Sequence, residues 1–168
     1  MKWKVLLALV LVAVGVAALS GQVRATPSNA LFSSSTIARA QLDELDIKSH
    51  ADPSAWKTML KTKGVSDLYV QQNVFKPGAT SGWHTHPGPS LVTVTQGTVT
   101  VYDGDDPTCT PHEYTASQQG TAFVDIGGGA VHVIRNESAA DAQTIVVQLI
   151  PAGAARRIDA PDPGTCSF

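Results

Sequence analysis

Gly78–Gly97 reads GATSGWHTHPGPSLVTVTQG, and the reading of the fold starts from it. Lys76-Pro77-Gly78 precedes it as a turn, proline fixing φ and glycine accepting a positive one. His84 and His86 follow one residue apart. In an extended chain alternate side chains share a face, so the two imidazoles point the same way, as a shared metal ion requires. Trp83 falls out of phase and is expected on the opposite face as a packing residue. Pro87-Gly88-Pro89 bends the chain stiffly. In Ser90–Gln96, Ser90, Val92 and Val94 then share one face while Thr93 and Thr95 take the other, the pattern of a half-buried strand. Gln96-Gly97 turns it, and Thr98–Tyr102 repeats the alternation.

Outward from this hairpin the chain stays β-like. Downstream, His112–Thr115 reads as a short strand, and Thr121–Ile126 runs apolar into Gly127-Gly128-Gly129. Val131–Ile134 and Gln143–Ile150 are further strands. The triple glycine opens no helix, so it is a turn and not a phosphate loop. Asp103–Pro111 holds three aspartates without the ligand order of a calcium loop, and a solvated turn is expected. His112 beside it reads as structural or exposed. Upstream, Asp67–Lys76 and Trp56–Thr62 alternate as strands, the second with a lysine-bearing face toward solvent. Ile37–Lys48 leans to strand without a clean period, His50 is an exposed loop residue, and Thr26–Thr36 is an extended leader. Asn136-Glu137-Ser138 spells a glycosylation acceptor. Short strands between Gly/Pro turns, with no convincing helix, argue for an all-β sandwich or barrel.

With 168 residues, 43% of them hydrophobic and 15% charged, one core-bearing domain is expected. Lys2 and Lys4 lead into an apolar run from Val5 to Leu19, and Ala25 offers a small residue for cleavage. This fits a secretory signal peptide. The other reading, an uncleaved anchor, is opposed by a run shorter than the roughly 20 residues a span needs. The expected division is therefore a signal at 1–25, an N-terminal leader with a first strand at 26–55, a barrel at 56–151 and a tail at 152–168. The mature protein would be secreted, periplasmic or at the cell surface, with no stable membrane anchor. Without Lys2, Lys4 and Arg24, three of the 12 basic residues, 9 remain against 14 acidic ones. No basic cluster is left for a phosphate backbone, and nucleic acid is excluded as a partner. Cys109 and Cys166 have one intramolecular pairing in an exported chain, which would tie the tail to a mid-chain loop. Two free thiols or a Cys/His metal site stay open, although neither cysteine lies in a CxxC or beside the histidine pair.

Gly78, His84, His86, Ser90 and Gly97, at these intervals, resemble the first motif of the cupins. Gly120, the glycine turn, His132 and Asn136 resemble the second. The resemblance implies a double-stranded β-helix, a jelly-roll barrel in which His84, His86 and His132 converge on a divalent transition metal: iron, manganese, zinc or nickel. It also implies a glutamate where this chain has Ser90, and a proline where it has Gly127 after one extra residue. Some cupin relatives, thiol dioxygenases among them, work with three histidines and no glutamate; nothing else marks this chain as one.

A serine hydroxyl is a weak metal donor, so Ser90 is read as holding a water or orienting a histidine behind the ligands. Three neutral imidazoles leave the ion its full charge and open positions, which suits a small anionic or chelating substrate. The expected function is thus an exported metal-binding cupin, as an enzyme an oxygenase, isomerase or hydrolase of a small molecule. The alternative is a non-catalytic cupin that binds a small ligand or metal. No catalytic acid, base or nucleophile can be named from spacing: Glu113 and Tyr114 cannot be placed by parity. A homodimer through an edge strand is open. Metal affinity is expected to fall as pH drops through the histidine range.

Overall fold

A computed structural model describes residues 25–52, 55–117 and 121–168. The expected signal peptide, apart from Ala25, lies outside them. Among the described residues every regular element is a strand: β1 (Phe32–Leu42), β2 (Asp46–His50), β3 (Lys57–Lys61), β4 (Ser66–Phe75), β5 (His84–Thr85), β6 (Ser90–Gln96), β7 (Thr98–Asp103), β8 (His112–Thr115), β9 (Ala122–Asp125), β10 (His132–Arg135), β11 (Ala142–Pro151) and β12 (Ile158–Asp159). Among the described residues no helix is long and apolar enough to cross a membrane.

Two five-stranded antiparallel sheets, ordered β1-β4-β11-β6-β9 and β12-β5-β10-β7-β8, form a jelly-roll barrel. Long-range pairing of this kind closes the sheets around one interior. Strand parity decides what faces inward. Along β11, Ala142, Thr144, Val146, Gln148 and Ile150 are buried and the residues between them are not. β4 turns Gln71, Asn73 and Phe75 inward, and β6 turns Ser90, Val92 and Val94 inward. The interior therefore has two halves. Phe75, Ala79, Val94, Val99, Val101, Ile134 and Ala142 make an apolar core, whereas Gln71, Asn73, Ser90, Thr144 and Gln148 make a polar chamber.

The second sheet is covered on its outer face too. Trp83, Tyr102, Val133 and Ala160 cluster there, out of phase with the inward histidines, and Cys109 and Cys166 pack against them. The two cysteines are joined in a disulfide. It pins Phe168 over Trp83 with ring centroids 6.2 Å apart, so Trp83 is the packing residue its parity implied. A loop of 57 residues closed this way stabilises by about 4 kcal/mol as a chain-entropy upper figure.

The N-terminal region differs from its sequence reading. β1 begins inside the stretch read as leader and pairs along its length with β4, with a register shift between Thr36 and Ala38. The ambiguous 37–48 stretch is the end of one strand and the start of another. β3, read as the first barrel strand, pairs only with β2, and both are exposed throughout. His50 is exposed but ends β2. The reason is physical: the period-two pattern of Trp56–Thr62 marks a strand, but not whether any core lies beneath it. The leader is also not idle. Thr26 donates its amide to the Ala160 carbonyl and its hydroxyl accepts the Trp83 amide at 2.9 Å. The tail likewise adds β12 to the second sheet beside β5. Asn136 of the glycosylation triplet is buried, its amide donating to the carbonyls of Phe75 and Ala140. The aspartate-rich loop is a self-satisfied turn, Asp106 accepting from Thr108 and Thr110.

Candidate metal centre

His84 opens β5 and lies directly across the ladder from His132 on β10, while Asp159 of β12 faces it from the other side. His86 follows two residues on, on the same face. The three imidazoles meet at the polar end of the barrel. One ring nitrogen of each lies within 4.8 Å of those of the other two, and ring centroids are 4.3 to 5.5 Å apart. All three side chains are buried.

Backbone carbonyls set the orientation of the rings. His84 Nδ1 lies 2.8 Å from the Gly82 carbonyl and His86 Nδ1 lies 2.7 Å from that of Arg156. A carbonyl only accepts, so each Nδ1 carries the proton and each Nε2 is left with a free lone pair. Gly82 has a positive φ of 68°, and a Cβ there would strike the Thr26 carbonyl at 2.1 Å. Only glycine lets the leader run that close behind the first histidine.

Burial pushes the His84 imidazole well below its usual range, with the charges of His132, Arg157 and His86 adding to it and the Gly82 carbonyl opposing. Burial also lowers His86, to about 4, against the opposing hydrogen bond to Arg156. It lowers His132 despite the nearby Asp125 carboxylate and a hydrogen bond to the Ala130 carbonyl. Near neutral pH the rings are therefore uncharged, the state in which imidazole binds a metal. Three neutral nitrogen donors in one buried cluster fit a divalent transition ion.

Ser90 is buried on β6 and lines the same cavity as the histidines. Its hydroxyl donates to Asp125 Oδ2 at 3.3 Å and accepts from Gln148 Nε2 at 3.0 Å. Asp125 itself was hidden in a stretch read as apolar. Its Oδ2 lies 3.7 Å from His86 Nε2 and its Oδ1 lies 3.7 Å from His132 Nδ1. The signal that could have found it is parity: Phe123 packs on the core, so Asp125, two residues on in β9, shares its face.

Two arginines were also missed, because they lie in the tail. Arg156 and Arg157 line the same cavity as the histidines, a chamber of about 50 Å³. Arg157 donates to the Ser81 carbonyl and to Asp159. Arg156 is half-buried, and burial and the neighbouring Arg157 lower its guanidinium from the usual range. Among the described residues no carboxylate lies in ion-pair reach of Arg156. A second cavity, of about 320 Å³, shares Asp125 and His132 with the chamber and is lined on its other side by Asp103, Asp105 and His112. His112 and Asp103 are half-exposed, 3.9 Å apart. Glu113 is exposed on β8, and Tyr114 packs on Phe123 and lines this second cavity with His132.

Residues 73–148 match the family described as Cupin domain. No curated protein matches the chain. Among solved structures, the chain is similar to a conserved protein of unknown function from Streptococcus pyogenes, at 16% identity and a TM-score of 0.44, over 73% of this chain and 76% of that one. It is also similar to the polyketide cyclase RemF from Streptomyces resistomycificus, at 18% identity and 0.45, over 57% and 64%. A third is the TT1209 protein from Thermus thermophilus, at 28% and 0.40, over 50% and 72%. The chain thus spans less than two thirds of the cyclase. The matched segment starts on β4, ends on β11 and encloses all three histidines in a jelly-roll barrel, and over these residues the chain is similar to the cupins.

Proposed function

We propose that this chain is an exported cupin that holds one divalent transition metal ion on His84, His86 and His132 and uses it on a small anionic or chelating substrate. The observation that carries the reading is the convergence of three buried, uncharged imidazoles, two of them with Nδ1 tied to a carbonyl and Nε2 turned to the common centre. Such an ion, when bound, supplies Lewis acidity or oxygen activation. The chain's own residues do the rest. The Gly82 and Arg156 carbonyls fix the rings, the barrel wall excludes water, and the Arg156 guanidinium gives an anion a charged partner at the rim of the chamber. The disulfide between Cys109 and Cys166 is compatible with export, since such bonds persist in oxidising compartments.

A second reading, metal carriage or sensing without turnover, is favoured by the small size of the chamber, about 50 Å³, room for little more than a water or two beside an ion. Elemental analysis of protein purified without added metal, repeated on His84→Ala and His132→Ala, tests the shared premise. Metal in the wild type and its loss in both variants supports it; equal and negligible metal in all three overturns it. Substrate screening then separates the readings. Iron calls for oxygen uptake with small organic acids and thiols, zinc or manganese for hydrolysis and isomerisation assays. Turnover lost in Arg156→Gln while metal is retained supports the enzyme; no turnover in any assay supports the carrier.

A further inference from the structure

We propose that Asp125 is the anionic donor of the metal centre, reaching from β9 into the space that Ser90 leaves on β6. The inference rests on the metal reading above and adds a ligand to it. Ser90 and Asp125 are register partners on adjacent strands, 35 residues apart in sequence. A rung of the ladder that holds a short hydroxyl on one strand thus has room for a carboxylate from the other.

The atoms around Asp125 leave it one unmet need. Oδ2 accepts from the Ser90 hydroxyl, which is itself held by Gln148, and Oδ1 accepts the Gly127 amide at 2.9 Å. Both hydrogen bonds aim the carboxylate without neutralising it. No lysine or arginine among the described residues lies within ion-pair distance of it, although its side chain is only 6% exposed. A buried carboxylate needs a counter-charge.

What it faces instead is His86 Nε2 at 3.7 Å. The proton of that ring is on Nδ1, given to the Arg156 carbonyl, so two lone pairs point into one space with no hydrogen to share. A cation on the imidazoles supplies the missing counter-charge; Asp125 stands outside the group whose ligand atoms all lie within 4.8 Å of one another, so its carboxylate swings toward the ion to bond it. Two donors each about 2.1 Å from a common ion stand roughly 3 to 4 Å apart. Asp125 and the three imidazoles would then present one negative and three neutral donors, and the net charge of the loaded centre falls from two to one.

Gly127 belongs to the same device. The family resemblance put a proline at its position, and proline has no amide hydrogen to give Asp125. Its positive φ of 64° and the 2.3 Å approach of a would-be Cβ to the Gly88 carbonyl confine the position to glycine. The two departures from the motif, Ser90 and Gly127, are thus the two groups that hydrogen-bond this carboxylate.

The test is titration of Mn(II) into metal-free wild type, Asp125→Asn, the double variant Ser90→Glu/Asp125→Asn, and His132→Ala. Asp125→Asn should bind Mn(II) about 10- to 100-fold more weakly, and the glutamate on β6 should restore part of that loss. Equal affinity in wild type and Asp125→Asn, with binding lost in His132→Ala, overturns the inference and leaves the three-histidine reading standing. No binding in the wild type overturns both. Should Asp125→Asn not fold, infrared difference spectra of the wild type decide: a carboxylate band that shifts on Mn(II) addition supports the inference, and an unmoved band overturns it.

Discussion

Asp67 and Asp125 are two buried carboxylates in one small barrel, and they are partnered in different ways. Asp67, on β4, lies beneath Arg39: its Oδ2 lies 2.7 Å from the guanidinium and accepts the Gly153 amide at 2.9 Å. The Gly153 amide and then Arg39 hold its carboxyl below the usual range. Asp125 accepts the same kinds of neutral hydrogen bond but has uncharged imidazoles where Asp67 has an arginine. A carboxylate with its own cation clasps β1 and the tail onto β4; one without is a site prepared for a cation from outside. Removing one charge should therefore damage the fold at Asp67 and the metal at Asp125.

The largest effect is expected where the centre loses a nitrogen. His86→Ala should reduce Mn(II) affinity by roughly 100-fold or more, whereas Asp67→Asn should leave it unchanged; isothermal titration of both reads this. Melting curves of the metal-free proteins should reverse the order. Asp67→Asn lowers the midpoint by a few degrees because it leaves Arg39 without its partner, while Asp125→Asn lowers it less or raises it, since a buried uncompensated charge is removed.

Acid should separate the two sites along the pH axis. The three histidines have folded values lowered from 6.5, His86 to about 4. The unfolded chain then binds more protons than the folded one as pH falls below 6.5, so their contribution is complete above 6.5 and is lost on the way down toward 4. Asp67 is lowered from 3.8, so its contribution is present above that value and is lost only as pH falls through its folded value. Denaturant melts of the metal-free protein should show a first loss between about 6.5 and 4 that disappears in a His84→Gln/His86→Gln/His132→Gln variant. A second loss, below 3.8, should disappear in Asp67→Asn. Protons compete poorly for rings lowered this far, so metal should be retained to lower pH than free histidine would allow. The smallest effect belongs to the exposed hairpin: Met59→Thr, at a side chain 76% exposed, should change stability by less than about 0.5 kcal/mol.

The barrel and the histidines were legible because their signals are local. His84 and His86 differ by two residues, Ser90–Gln96 alternates cleanly, and parity alone put Trp83 on the outer face. The cysteine pair was legible because two cysteines have a single intramolecular pairing. Asp125 was not, because its meaning depends on Ser90 across a ladder formed by residues far apart in the chain. Arg156 and Arg157 were hidden for the same reason: a two-residue strand, β12, carries them beside β5, and Pro/Gly-rich sequence around so short a strand reads as tail. β1 and β3 show the limit from the other side. β1, which has no clean alternation, pairs along β4, whereas the alternating β3 pairs only with β2.

The most direct test of the account is a crystal structure of the wild-type protein soaked with Mn(II) and collected at a wavelength where manganese scatters anomalously. The account predicts one strong anomalous peak bonded to His84, His86, His132 and a carboxylate oxygen of Asp125. A peak bonded to the histidines with Asp125 turned away, or no peak in the barrel, would contradict it.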